Sequence, residues 1–168
     1  MILKYVVIAV VAYLLGSLSF SVLISRGLFH QDVRQEGSGN AGATNMARVF
    51  GMRSGLLVFL ADAAKTVAAA LFGVWLGQEI GGAIACAACN IGHCYPVFFR
   101  FRGGKGVSVG AVIAFLIDWR IGLILLAVFF LMFAWQRIVS LCSVSVAVLL
   151  PLLCQLFALS APRRFLGL

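Results

Sequence analysis

Of the 168 residues, 63% are hydrophobic and 11% charged, and the mean hydropathy is +1.11, which leaves too little polar surface to clothe a soluble globule of this size. The excess of 13 Lys+Arg over 5 Asp+Glu, a net charge of +8, falls in short stretches between apolar runs, so it points to membrane orientation, membrane lipids and anionic substrates rather than to nucleic acid. The expected architecture is all-α, a single polytopic membrane bundle over residues 1–168 with about five to seven segments, short half-helices included, since a spanning helix takes roughly 20 apolar residues.

The first apolar run, Tyr5 to Ile24, follows a single Lys4 and has no A-x-A cleavage site, so it reads as a retained span. Arg26 to Asn40 is a polar loop, and Ala41 to Phe50, closed by Gly51, is too short to cross and reads as a half-helix at the membrane edge. Gly55 to Leu76 and Ile80 to Phe99 are the next two spans. A second basic, glycine-rich loop, FRFRGGKG at 99–106, leads into a short segment, Val107 to Ile117. Ile121 to Trp135 and Ile138 to Phe157 complete the pattern.

Arg26, Arg34, Arg48 and Arg53 lie in or beside the first glycine-rich region, and Arg100, Arg102 and Lys105 in the second. Both belong on the cytoplasmic side by the positive-inside rule, with the turn near Gly77 to Glu79, which has no basic residue, outside. That places the two loops on one face, where they read as one site. By the same rule the tail from Ser160 to Arg164 falls outside.

In GSGNAGATN, residues 37–45, the glycines Gly37, Gly39 and Gly42 let backbone N–H groups approach an anion, and a helix starting just beyond adds its positive end. Ser38, Asn40 and Asn45 are further candidate holders of phosphate oxygens. Thr44 and Arg48 are four apart, and Asn45 and Arg48 three apart, so each pair shares a helix face. In the second loop Gly103, Gly104 and Gly106 bare the backbone around Lys105, a mobile point charge suited to phosphate.

His93 is the well-placed candidate general base, with phosphate binding and a structural role left open beside it. Ser17 stands near the inner end of the first span. Asp62 and Lys65, three apart in an apolar span, are expected to pair as supporting residues, because lone charges there are costly. Cys86, Cys89 and Cys94 with His93 raise a zinc site, but thiolates in an Ala-rich membrane helix would be expensive to bury, so neither metal nor cofactor is expected.

GSLSFSVLISR at 16–26, DVRQEGSGNAGATN at 32–45 and GHCYPVFFRFRGGKGV at 92–107 resemble, in order and spacing, the three motifs of the bacterial acyl-phosphate:glycerol-3-phosphate acyltransferases, the PlsY family. LADAAK at 60–65 and RIVSLCS at 137–143 extend the resemblance. It implies an inner-membrane enzyme with a cytoplasmic active site that transfers a fatty acyl group from acyl phosphate to the 1-hydroxyl of glycerol 3-phosphate, giving lysophosphatidic acid and phosphate for phospholipid synthesis. Ser38, His93 and Lys105 are then the expected catalytic groups. Where the family usually has proline, this chain has Ser19, which is expected to straighten the first helix locally. The family typically continues with one more span and a polar His- and Asn-containing segment, so the resemblance also implies a C-terminally shortened member. The competing reading is a transporter or binder of organic phosphate anions, since half-helix ends and basic loops also hold anions in transporters. Transporters favour midplane sites and inverted repeats, whereas here both loops fall at one face and no repeat is found.

Overall fold

The computed structural model describes residues 2–160, with side chains to residue 157, and every regular element among them is helical. They form two compact units, which divide between Val109 and Gly110. The first contains α1 (Ile2–Gly16), α2 (Phe20–Phe29), α3 (Ala43–Phe50) and α4 (Met52–Cys94).

The apolar run expected as one span is two helices. Ser17 N–H still donates to Tyr13 O at 2.8 Å, but Ser19 is extended, at φ −82° and ψ 91°, and α2 restarts at Phe20. Serine at this position therefore does not straighten the helix. The Ser19 and Ser21 hydroxyls lie 3.2 Å apart and bond one another, and short hydroxyl side chains of this kind offer the chain local alternatives to helix.

If straight, the 43 residues of α4 would reach about 65 Å, twice the hydrocarbon thickness of a bilayer. Gln78, at φ 55° and ψ −147°, reverses it instead. Gly73 lies against Gly81 and Ala85, so residues 52–77 and 79–94 run back along one another as two limbs. The turn expected near Gly77 to Glu79 is thus present, and the stretch Met52–Phe99 contains two passes. The returning limb ends at Cys94 rather than Phe99, because Pro96 cannot continue it; Val97–Phe99 is one 3-10 turn.

α1 lies parallel to the returning limb. Tyr5 and Ile8 meet Gly77, Ile8 meets Gly81, Gly16 meets the Cys89 backbone, and Gly92 meets Tyr13 and Ser17. The end of α1, the end of α4 and the start of α4 therefore share one end of this unit. At that end Gly51 (φ 87°) turns the chain from α3 into α4, and Gly55 packs on Ala43 and Ala47. A small apolar core of Val22, Val33, Ala41, Met46 and Val58, with the Phe29 and Phe50 rings stacked at 4.4 Å, anchors the connection between α2 and α3.

A polar strap ties this connection to the one after α4. Arg34 binds the Asp32 carboxylate, at 2.7 Å to Oδ2, and donates to Phe99 O at 2.8 Å and, at 3.5 Å, to Arg102 O. Arg26 adds a second contact to Asp32 at 2.8 Å. Hydrogen bonds from the Arg34 guanidinium hold the Asp32 carboxyl well below the usual carboxylate range, outweighing partial burial.

The second unit contains most of α5 (Val107–Ile117), α6 (Trp119–Gln136) and α7 (Val139–Ser160). Asp118 caps α6 by accepting from Arg120 N–H at 2.8 Å. Ala114, Ile121 and Leu125 form its core with Val146, Leu149, Leu150 and Leu153. Ile2–Phe29, Met52–Phe99, Trp119–Gln136 and Val139–Phe157 are long and apolar enough to cross a membrane. The tail from Ala161 lies outside the described residues.

Leucine at Gly73 or Gly81 must displace backbone of the facing limb and is expected to prevent recovery of folded protein. Gly27→Ala, on α2 with open space around it, should raise the unfolding free energy by about 0.5–1 kcal/mol. Thermal unfolding of detergent-purified variants reads both. The depressed Asp32 value gives a stabilisation that is complete above the unfolded-chain value of about 3.9 and is lost as pH falls through the lower folded value. Protease cleavage within residues 31–42 is therefore expected to stay slow from neutral pH down to about 4.5 in the unaltered chain, and to accelerate several-fold in Asp32→Asn across that range.

Candidate active site

The first glycine-rich loop is shaped from within by Asn45. Its Oδ1 accepts the Ser38 N–H at 2.9 Å, and its Nδ2 donates to Val33 O and Glu36 O, both at 3.0 Å. With the side chain buried and its amide used on both ends, Asn45 builds the cradle from beneath, and the exposed face of α3 carries Thr44 and Arg48. Gly37 and Gly39 hold φ of 57° and 70°, left-handed values that other residues adopt at a cost. Gly37 packs against Asn45 and Val49, and Ser38 is exposed at the rim. Gly42 is the N-cap of α3 and supplies no side-chain cap, so the first N–H groups of the helix remain for an acceptor. The Asn40 amide lies beside it.

The second loop returns onto the end of α4. Gly103 N–H donates to Cys94 O at 3.2 Å and Gly104 N–H to His93 O at 3.1 Å. A Cβ on Gly104 would collide with His93 Nε2 and stand 3.1 Å from Ala41 O. Gly104 is thus the point where His93, the first loop and the second loop meet. Gly106, at φ 74°, packs against the Asn90 amide and Cys94 Sγ, and Lys105 between these glycines is exposed.

Behind the loops lies a buried ionic group. Lys65 Nζ is 2.7 Å from Asp62 Oδ1, 2.8 Å from Leu18 O and 3.1 Å from His93 Nδ1, with the Phe20 ring 5.6 Å away. Asp62 Oδ1 is also 3.6 Å from His93 Nδ1. The Asp62–Lys65 contact is a close ion pair poorly directed for a hydrogen bond, and Asp62 Oδ2 has no hydrogen-bond partner among the described residues.

The structure therefore brings His93, Gly103, Gly104 and the Ala41 end of the first loop together, and sets Asp62 and Lys65 directly behind His93. Ser17 is buried, and its Oγ accepts the Val97 N–H at 3.4 Å, fastening the end of α1 to the start of the second loop. Arg34, one of the basic residues beside the first loop, is occupied by Asp32 and two carbonyls. The Lys65–His93 contact joins residues 28 positions apart and has no signature in local spacing. Two charged residues in an apolar span opposite a histidine in the next were the nearest available signal.

A family model described as glycerol-3-phosphate acyltransferase matches residues 6–167. Relatives named glycerol-3-phosphate acyltransferase include that of Syntrophomonas wolfei, 46% identical over 148 residues, covering 85% of this chain and 73% of the relative. That of Clostridioides difficile is 42% identical over 151 residues, with the same 85% and 73% coverage. The crystal structure of PlsY (YgiH), an integral membrane glycerol 3-phosphate acyltransferase, in its glycerol 3-phosphate form superposes with a TM-score of 0.81 at 36% identity, covering 94% of this chain and 78% of that one. Its lysophosphatidic acid form gives 0.78 at 34% identity, covering 94% and 77%. With its three motifs, its helical architecture and its two glycine loops converging on His93, the chain belongs to the glycerol-3-phosphate acyltransferase family, the integral-membrane PlsY enzymes.

Proposed function

We propose that this enzyme takes its acyl group from acyl phosphate, delivers it to the 1-hydroxyl of glycerol 3-phosphate, and releases lysophosphatidic acid and inorganic phosphate at the cytoplasmic face of the inner membrane. The observation that carries this reading is the meeting of the two loops at Gly104 and Ala41, which supplies backbone N–H groups, the start of α3 and two exposed cations, Arg48 and Lys105, at one end of the bundle. Glycerol 3-phosphate and lysophosphatidic acid name the two forms of the PlsY crystal structures that this chain resembles, and both carry the phosphate group that such a cradle would take. The cytoplasmic assignment rests on Arg26, Arg34, Arg48, Arg53, Arg100, Arg102 and Lys105 clustering in and around the two loops.

Acyl phosphate is a mixed anhydride with a good leaving group. The hydroxyl oxygen forms the new ester bond to the acyl carbon, the acyl C–O bond to phosphate breaks, and the hydroxyl proton balances the released phosphate. No covalent enzyme intermediate is required, so the protein's work is to align two anions and offset their charge. Asp62 and Lys65 serve as supporting groups behind the cradle, and Ser38, Asn40, Thr44 and the loop glycines line it.

Purified protein given acyl phosphate and glycerol 3-phosphate should form lysophosphatidic acid and phosphate in equal amounts; binding of both with no ester product would refute the reading. Arg48→Ala and Lys105→Ala should each lower kcat/KM about tenfold or more, since a charge-assisted contact is worth about 1.5–3 kcal/mol. Gly104→Ala is expected to abolish turnover by forcing the second loop, with Lys105, away from His93 and the Ala41 carbonyl, and Gly39→Ala to raise KM for glycerol 3-phosphate through left-handed backbone strain of about 1–2 kcal/mol. Steady-state kinetics on protein that elutes as the unaltered chain does would check all four.

A further inference from the structure

The two nitrogens of His93 face opposite worlds. Nδ1 points into the bundle, 3.1 Å from Lys65 Nζ, and Nε2 lies against Gly104 in the second glycine loop. An ammonium group has protons to give and no lone pair to receive one. Lys65 also donates to Leu18 O at 2.8 Å, sits 2.7 Å from the Asp62 carboxylate and is covered by the Phe20 ring, so that a carbonyl, a carboxylate and an aromatic face all surround Nζ. The groups facing Nδ1 are thus a proton donor at hydrogen-bond distance and, farther away, the carboxylate at 3.6 Å.

We infer that the buried Lys65 ammonium, anchored by Asp62 and the Leu18 carbonyl, fixes His93 as its Nε2–H tautomer, so that His93 meets the phosphate site as a hydrogen-bond donor and Asp62 and Lys65 are its positioning residues. The inference rests on the phosphate-binding reading of the loops and sharpens it. A neutral imidazole that accepts at Nδ1 carries its one proton on Nε2, where a phosphate oxygen can accept it and a substrate hydroxyl cannot lose a proton to it. The alternative places the shared proton on His93 and leaves a neutral lysine accepting from Nδ1–H. That arrangement would move the positive charge from Nζ, 2.7 Å from the Asp62 carboxylate, to a ring whose Nδ1 stands 3.6 Å from it, lengthening the buried ion pair. His93 thus joins the electrostatic machinery of the site, and the general-base role left open in the sequence falls away.

The chain has only two histidines, and His30 is exposed in the loop after α2. His30→Gln therefore leaves a single histidine for nitrogen-15 NMR in detergent or nanodiscs. A proton on Nε2 and a bare Nδ1 at neutral pH are expected, with the pattern lost or mixed in Lys65→Met. Detection of Nδ1–H or of an imidazolium at neutral pH would overturn the inference, whatever the turnover of the protein. In kinetics, His93→Gln keeps an N–H donor near the Nε2 position and has no basic nitrogen. It should retain kcat within about tenfold while KM rises, and His93→Ala should do worse on KM. A loss of 10²–10⁴ in kcat for His93→Gln with KM unmoved is the pattern of a missing general base and would likewise overturn it. If the unaltered chain fails to turn over acyl phosphate, the function proposed above fails, and the NMR result alone then decides the tautomer.

Discussion

Burying the Lys65 ammonium obliges three segments of chain to meet around it. Inside an apolar bundle the charge needs a counter-ion and oriented acceptors. It obtains them from Asp62 on its own limb, from Leu18 at the break between α1 and α2, and from His93 on the returning limb. The break at Ser17 to Ser19 has a purpose in this light, since a continuous helix would commit the Leu18 carbonyl to its own ladder. The close approach of α1 to the returning limb at Gly16, Cys89 and Gly92 then fixes how near that carbonyl comes. The position of His93, and through it of Gly104 and the second loop, follows from satisfying one cation.

The two glycine loops are shaped by different forces and joined by a third. Asn45 folds the first loop from below with three hydrogen bonds to its backbone, and the second is drawn onto the last turn of α4 by N–H groups of Gly103 and Gly104. Arg34 spans the gap with one guanidinium, neutralised by Asp32 and directed at Phe99 and Arg102 carbonyls. Loops held in this way from three sides have little ordering left to do on meeting a ligand, so more of each contact's energy would appear as binding.

Legibility in the sequence followed the range of the interaction. Helical passes were readable because apolar runs of spanning length state their own structure, and the reversal at Gln78 fell between two such runs. The Asp62–Lys65 pair was readable because a separation of three lies on one helix face. The two loops were readable as neighbours on one face because basic residues collect in both of them. Asn45 and Arg48 were given one helix face by their spacing of three, yet Asn45 is buried and Arg48 exposed, because spacing alone does not say which side of a short helix the loop wraps around. The interruption at Ser17 to Ser19 was hidden inside a run that is strongly apolar when averaged over a spanning length. Lys65 with His93, and Arg34 with Phe99, are pairings across the fold, and no local pattern announces them.

The reversal at Gln78 bears on how such a chain enters a membrane. Asp62 and Lys65 are one helical turn apart on the outgoing limb, so their charges can neutralise one another as soon as that turn forms, before any other helix is in place. The hairpin can then cross as a nearly neutral object, with Gly73 lying flat on Gly81. His93 arrives opposite Lys65 simply because the second limb retraces the first. The polar heart of the site is thereby assembled within a single hairpin, and α1 is needed only to deliver its last acceptor, the Leu18 carbonyl.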